Sequence, residues 1–395
     1  MRFPEFSGEW ENARLGFIAE FSKGSGISKD QRSETGNPCI LYGELYTRYK
    51  SEVIKNVISK TNLPDTELVK SKANDIIIPA SGETAEDIAT ARCVPYDNIL
   101  LGGDLNIIRL KNQDGRFFSY QLNGVRKYDI ATVAQGVSVV HLHAGDLKGI
   151  SVKYPSNMAE QRKIAEMISI IDDRIETQSK IIEELKTLRS ALSESLYYDC
   201  DSFQEMSFND VGECYSGLSG KSSEDFGSGY PFVPYTNIFA NDVIDENQFE
   251  YVQIREDESQ NTVHYGDLLM TLSSETPEEV GIGSVYLGSE SHLYLNSFAF
   301  GIHITRTDLV YPPYLSWLVS TKSFRKFILP FAQGSTRYNL QKTDFMKAKY
   351  RFPTLERQKT IYKLLSSYSS KIDNEEKILD LYQFQKQGLL EQMFI

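Results

Sequence analysis

A long-period internal repeat constrains this chain more than any other feature. Ala134-Gln135-Gly136 recurs as Ala332-Gln333-Gly334, 198 residues later. At the same offset Leu142 meets Leu340, Asp146 meets Asp344 and Pro155 meets Pro353. After a one-residue gap Gln161 corresponds to Gln358, Ile164 to Ile361 and Ile175 to Ile372. Upstream the match is looser. Pro38-Cys39-Ile40-Leu41-Tyr42 aligns with Pro231-Phe232-Val233-Pro234-Tyr235, Asp75-Ile76-Ile77-Ile78 with Asp267-Leu268-Leu269-Met270, and Ser81-Gly82-Glu83-Thr84 with Ser273-Ser274-Glu275-Thr276. The offset drifts from about 193 to 198, as insertions in loops would make it drift. Self-similarity at a fixed period means one structural unit used more than once, here two similar folds carrying different surface residues.

Each copy ends in a long amphipathic helix. The first seam reads Ile164, Ile168, Ile171, Ile175, Ile182, Leu185, Leu192, Leu196, with polar breaks at Gln178 and Arg189. The second reads Ile361, Leu365, Tyr368, Ile372, Leu379, Tyr382, Leu389, Met393, with breaks at the equivalent Glu375 and Lys386. Alternating steps of four and three are the a/d signature of helices that pair. At 1.5 Å per residue, Ile164 to Leu196 spans about 50 Å. Pro155 and Pro353 stop the preceding strands, and Asn157 with Glu160 resembles a capping box. The segments before each helix read as strands and loops, with strands over residues 98–110, 268–272 and 297–304 and helical stretches over 313–329 and 119–134.

Composition is that of an ordinary globular protein, 41% hydrophobic and 24% charged, which leaves the fold to be decided by pattern. No run of 18 apolar residues exists, and Met1-Arg2-Phe3-Pro4-Glu5 lacks an apolar signal core, so no membrane association and a cytoplasmic location are expected. Cys39, Cys93, Cys200 and Cys214 are scattered without metal-ligand spacing and read as structural thiols. The net charge of −12 weighs against a partner rich in phosphate. Its distribution is uneven: residues 1–153 carry 19 basic and 19 acidic side chains, residues 200–352 carry 11 and 20. Within the acidic part, residues 322–351 hold eight basic side chains and the single acid Asp344, a local basic patch.

Catalytic signatures are missing. Tyr311-Pro312-Pro313-Tyr314 has the outline of an amino-methyltransferase motif, but a tyrosine stands where an Asp or Asn must accept from the target amino group, and no glycine-rich cofactor loop accompanies it. It reads as the start of a helix. No phosphate-binding G-x-x-x-x-G-K-[ST] loop is present. Pro64-Asp65-Thr66-Glu67-Leu68-Val69-Lys70 has the letters of a nuclease cluster, but a strand would put Glu67 and Lys70 on opposite faces. His141 and His143 would share one face of a strand without a third ligand, so no metal site is expected.

The order of elements is globular domain, long helix, different globular domain, matching long helix. Before the helices stand Gln135-Gly136-Val137-Ser138, Tyr154-Pro155 and Glu160-Gln161-Arg162-Lys163-Ile164, then Gln333-Gly334-Ser335-Thr336-Arg337, Phe352-Pro353 and Glu356-Arg357-Gln358-Lys359. In this the chain resembles, over essentially its whole length, the specificity subunits of Type I restriction-modification systems. One departure is Arg357, which separates the second Glu-Gln pair. The resemblance implies an α+β fold with two similar mixed α/β target-recognition domains in tandem, separated by two long helices that pair as an antiparallel coiled coil about a pseudo-two-fold axis. The expected boundaries are residues 1–155 for the first domain, 156–199 for the first spacer helix, 200–353 for the second domain and 354–395 for the second spacer helix. It also implies a non-catalytic role: each domain reads half of a bipartite, asymmetric site in double-stranded DNA, and the helices dock two methyltransferase subunits, joined by restriction and translocase subunits. The chain itself would hold no cofactor, with S-adenosylmethionine and ATP belonging to the partners.

Phosphate contacts need Lys and Arg, and base edges need Arg, Asn, Gln, Ser or Thr on protruding loops. On that basis the candidate DNA readers are Lys23, Tyr42, Tyr46, Arg48 and Ser81 in the first copy, and Lys221, Tyr235, Asn237, Ser273, Arg337 and Tyr338 in the second. Two other classes of function compete: a coiled-coil adaptor that binds only proteins, which the acidic second copy favours, and a fused adenine methyltransferase with degenerate motifs.

Overall fold

The computed structural model describes residues 2–64, 66–200 and 202–394, so Asp65 of the nuclease-like letters lies outside the described residues. Contacts divide the chain into two compact units, residues 1–180 with 376–395, and residues 181–375.

The first unit runs through β1 (Trp10–Arg14), β2 (Ala19–Lys23), β3 (Asn37–Ile40), the one-turn helix α1 (Glu44–Thr47), β4 (Ser59–Thr61), β5 (Asp75–Pro79), β6 (Ser81–Gly82), β7 (Arg92–Val94), β8 (Leu100–Leu101), β9 (Leu105–Leu110), helix α2 (Gly115–Asn123), β10 (Val140–His141) and β11 (Ser151–Pro155) into the long helix α3 (Met158–Tyr198). An antiparallel sheet has the order β2-β9-β5-β7, and a smaller one the order β4-β3-β8 with β3 and β8 parallel. β1 pairs with β11 and β6 with β10. β5 is buried along its whole length because both its faces are covered, as its β-branched run demands. Ile76 and Ile78 face a core built with Phe117 and Tyr120 of α2, while Ile77 faces a second core with Ile40, Leu101 and Ile107.

The second unit repeats this order of strands, with one more added to the pair equivalent to β6 and β10. It runs through β12 (Phe203–Ser207), β13 (Gly212–Ser216), β14 (Phe226–Val233), α4 (Tyr235–Ala240), β15 (Glu250–Val252), β16 (Leu268–Thr271), β17 (Ser273–Ser274), β18 (Gly283–Val285), β19 (Tyr294–Leu295), β20 (Ala299–Ile304), α5 (Lys322–Ile328), β21 (Ala332–Gly334), β22 (Tyr338–Leu340), β23 (Lys349–Pro353) and the long helix α6 (Leu355–Met393). The sheets are β13-β20-β16-β18, β15-β14-β19, β12-β23 and β17-β22-β21, the last holding the added strand, β21. β16 splits its side chains as β5 does, Leu268 and Met270 to one core and Leu269 to the other. The repeated Ala-Gln-Gly has the same job in both units: Gly136 and Gly334 turn with φ of +129° and +152°, and a Cβ there would lie 2.1 Å from the Val139 and Arg337 carbonyl oxygens.

The repeated glutamine is as specific. Gln161 is fully buried at the start of α3, where its Nε2 donates to the Pro155 carbonyl (2.7 Å) and its Oε1 accepts from the Asp114 amide (3.0 Å). Gln358 at the start of α6 does the same with Pro353 (2.8 Å) and Tyr311 (2.8 Å). Each clamps the last strand of its domain to the helix that follows. Replacing either by alanine strands buried backbone groups and should cost about 1–3 kcal/mol, read as a lowered urea midpoint.

α3 and α6 each contribute to both units and pair antiparallel within each. In the first unit the Arg174 guanidinium lies 5.8 Å from the Tyr382 ring, and in the second Arg189 donates to Ser369 Oγ at 2.9 Å. The seams also serve the globular cores. Ile164, Ile168 and Ile171 join Leu389 and Met393 in the first core, with Ile175 against it. Ile361 and Leu365 join the second, with Leu192 and Leu196 against it. Ile182 and Ile372 are buried, and Leu185, Tyr368, Leu379 and Tyr382 are half-buried. Two of the polar breaks prove to be anchors. Lys386 donates to Glu52 (2.5 Å) and lies 2.7 Å from Asp172, while Arg189 lies over Trp317 (5.2 Å) and near Asp242 (3.9 Å).

Several local expectations are corrected. The stretch 313–329 is two helices, Pro312–Leu318 and α5, because Thr321 caps a new start by accepting from the Phe324 amide. Residues 119–134 likewise break after Asn123, at Gly124. Asn157 accepts from the Ala159 amide, but Glu160 turns away to Arg2 and Trp10, so the box is not closed. Residues 66–68 are turn and bend rather than strand. Tyr311 precedes a helix with proline in its first turn, as read. Among the described residues no helix is long and apolar enough to cross a membrane.

Candidate nucleic-acid interface

Each unit opens a cleft beside the short helix that follows the third strand and the loop that leads into β9 or its equivalent β20; residues 26–32 complete the first cleft, whereas residues 273–279 and Arg337 complete the second. In the first unit the cleft holds about 700 Å³ and is lined by Lys29, Gln31, Arg32, Tyr42, Arg48 and Asp104, among others. In the second it holds about 560 Å³ and is lined by Tyr235, Phe239, Ser273, Glu275, Phe298 and Arg337, among others. The equivalent tyrosines Tyr42 and Tyr235 line both clefts, and the remaining walls come from different segments of the fold.

The first cleft is organised by a buried carboxylate. Glu44, at the first turn of α1, accepts from the Leu41 amide (3.2 Å), from Ser59 Oγ (2.5 Å) and from Arg48 (3.1 Å), with Arg32 at 3.7 Å. Two arginines are thereby held at the rim with their remaining donors toward solvent, and Lys29 is exposed beside them. Fixed guanidinium forks suit phosphate oxygens and guanine edges.

Of the residues singled out in the first copy, Tyr42 and Arg48 line this cleft. Half-buried Tyr46 has its hydroxyl beside Gly43 and Gly82, and burial pushes that hydroxyl above the usual range, so it stays a neutral donor. Ser81 is buried and paired with His141 in the β6–β10 ladder. Lys23 is exposed at the end of β2. The pattern reading passed over Arg32 and Lys29, and over Glu44, which holds Arg32 and Arg48; only the fold brings residues 29–32 to α1.

In the second copy Tyr235, Ser273 and Arg337 come together. The Tyr235 hydroxyl donates to the Ser273 carbonyl (3.0 Å), and the Arg337 guanidinium stands 5.7 Å from the Phe298 ring. Phe298 and Phe239 are exposed aromatic faces that sequence reasoning did not name. Tyr338 is half-buried in β22. Asn237 is fully buried, its amide bridging both backbone groups of Asp245, so it shapes the loop from inside. Lys221 is folded onto Glu258 and the Gln253 carbonyl with its side chain only 4% exposed. Of the basic patch, Arg325 is turned inward to the carbonyls of Gly281, Glu278 and Val280, leaving Lys322, Lys326, Arg337, Lys347, Lys349 and Arg351 exposed.

The thiols are free. Burial pushes Cys39 up to about 11 and Cys93 higher still, so both are protonated and inert. His141 and His143 stack at 6.4 Å, both exposed.

The duplicated architecture has counterparts among known proteins. The chain matches the family described as Type I restriction modification DNA specificity domain twice, over residues 7–187 and 201–381. It belongs to that family. As a specificity subunit it is a non-catalytic member of a restriction-modification system. It is 22% identical over 402 residues to the Type I restriction enzyme MjaVIII specificity subunit of Methanocaldococcus jannaschii, covering 95% of this chain and 89% of that one. Among solved structures it resembles the S subunit of a Type I restriction-modification system from M. genitalium, with TM-score 0.60, 16% identity, and coverage of 100% and 99%. A second likeness, from work on complex assembly and conformational transition of the type I R-M system, has TM-score 0.60, 14% identity, and coverage of 99% and 98%. At these identities the structures speak for the fold.

Proposed function

We propose that the globular parts, residues 1–155 and 200–353, are target-recognition domains that each read one half of a bipartite, asymmetric site in duplex DNA. The observation that carries this is a cleft beside the same short helix in both units, walled by different residues. One fold presents Arg32, Arg48 and Lys29 in the first copy and Arg337, Phe298 and Tyr235 in the second. Half-sites read by different residues differ in sequence, whereas a homodimer would demand a palindrome. The helical stretches, 156–199 and 354–395, act as the spacer.

The same helices are the docking elements for two methyltransferase subunits. Ile170, Ile181 and Leu188, spaced to share one face of α3, remain exposed, as do Leu381 and Phe384 on α6. Restriction and translocase subunits complete the complex. S-adenosylmethionine and ATP belong to those partners, this chain holds no catalytic cofactor, and the complex works in the cytoplasm. With a net charge of −12, the chain alone binds duplex DNA weakly, and the partners complete the clamp.

The spacer is tested by inserting four residues, about 6 Å of helix, into both α3 and α6 and mapping methylation by the assembled complex. The expected result is a longer gap between two unchanged half-sites. A changed half-site would sink the spacer role, and methylation at the old gap would show that the helices do not set it.

A further inference from the structure

A carboxylate at the same place in both units is neutralised in two different ways. In the first, buried Asp75 opens β5, accepts from the Lys72 amide (2.8 Å), and takes two bonds from Arg109 on β9, at 2.8 and 2.7 Å. In the second, Asp267 precedes β16, is fully buried, and accepts from the His264 amide at 2.9 Å. The position of Arg109, fifth in its six-residue strand, is taken by His303, fifth in β20, and that of Lys72 by His264. One permanent cation has been exchanged for two imidazoles around a buried carboxylate.

We propose that His264, Asp267 and His303 form a binding site for a divalent transition-metal ion of the zinc, cobalt or nickel class. One ring nitrogen from each histidine and one Asp267 oxygen lie within 4.8 Å of one another. His303 Nδ1 is 2.7 Å from Asp267 Oδ1 and His264 Nδ1 is 4.0 Å from Oδ2. An ion bonded at roughly 2.0–2.2 Å to each donor needs them about 3.3–3.5 Å apart, reached by small side-chain rotations. The Tyr215 hydroxyl donates to Asp267 Oδ2 at 2.5 Å, so with the His264 amide it fixes the carboxylate as outer partners do in metal sites. The histidine side chains are 59% and 45% exposed, which gives an ion a way in and leaves its remaining position to water. Imidazole and carboxylate donors select this class over calcium or magnesium. A bound ion supplies the positive charge that Arg109 supplies in the first unit. β16 and β20 carry the site at the ends opposite Ser273 and Phe298, so the ion braces the sheet without entering the cleft.

The test uses the full chain without an affinity tag, stripped with EDTA, and titrated with ZnCl2 by calorimetry and with CoCl2 by visible absorption. One ion per chain with micromolar affinity, cobalt d–d bands and a melting temperature several degrees higher are expected. His303→Arg rebuilds the carboxylate–arginine pair of the first unit and should therefore fold. It should lose affinity by at least about tenfold, as should His264→Asn, and neither should show the metal-dependent rise in melting temperature. No binding at micromolar ion would overturn the proposal. So would unchanged binding in both variants, which would move the ion elsewhere, to His141 and His143.

Discussion

Replacing Lys386 by methionine, with Glu52 and Asp172 left in place, should destabilise the first unit by about 3–5 kcal/mol. The ammonium is 15% exposed and joins two buried carboxylates, and Asp172 also accepts from Tyr120 (2.7 Å) and Ser51 (3.0 Å). Without the lysine, two like charges face each other in a site closed to water. Urea unfolding with the melting temperature as a second probe measures the loss. Adding Glu52→Gln and Asp172→Asn should recover much of it, because the uncompensated charges are then gone. The paired carboxylates raise the Lys386 pKa against the effect of burial. A raised folded-state pKa contributes stability that is complete below the unfolded lysine value and disappears as pH rises through the folded one. The difference between wild type and Lys386→Met should therefore hold through neutral pH and shrink only above about pH 10.4, the ordinary lysine range.

The second large effect concerns the first cleft. Changing Lys29, Arg32 and Arg48 together to glutamine should lower the affinity of the assembled methyltransferase complex for its target by roughly 100-fold or more, since arginine contacts to guanine are worth about 1–3 kcal/mol each. Gel-shift titration at several salt concentrations separates the roles. A side chain on phosphate lowers the salt slope by about one, whereas one on a base relaxes discrimination at a single position. The half-site read by the second unit should keep its sequence. Glu44 loses its arginine partners in this variant but keeps the Leu41 amide and Ser59, so α1 should remain formed. Arg337→Ala should do the converse, relaxing the other half-site.

Much of the architecture could be read from the chain itself. The repeat, the two long helices and the strands around Ile76 and Leu268 follow from patterns that depend on burial, and burial periodicity survives sequence drift. The glutamines at 161 and 358 were visible as matched letters, but their clamp on Pro155 and Pro353 needs the fold. The polar breaks at Arg189 and Lys386 disturbed a seam that otherwise pairs helices; their partners Asp242, Glu52 and Asp172 lie far away in sequence. The cleft was half legible. Tyr42, Arg48, Tyr235, Ser273 and Arg337 sit where loops of the right chemistry were sought. Lys221 and Asn237 have equally suitable chemistry and point inward, because a solvated loop residue and one that ties the loop together from inside have the same letters. Arg32, Lys29, Phe239 and Phe298 reach the clefts through returns of the chain that no local pattern announces. Asp267 and His303 are separated by β16, β17, β18, β19 and most of β20, and no ligand spacing could join them.

The central claim is that this chain chooses which DNA sequence is modified. Genome-wide mapping of methylated adenine, in cells carrying the chain with its cognate methyltransferase subunits and in cells lacking only the chain, tests it most directly. The account predicts a bipartite, asymmetric motif that vanishes when the chain is absent and changes in one half alone when the first cleft is altered. Methylation that is the same with and without the chain, while the partners still assemble with it, would contradict the account and leave a coiled-coil adaptor in its place.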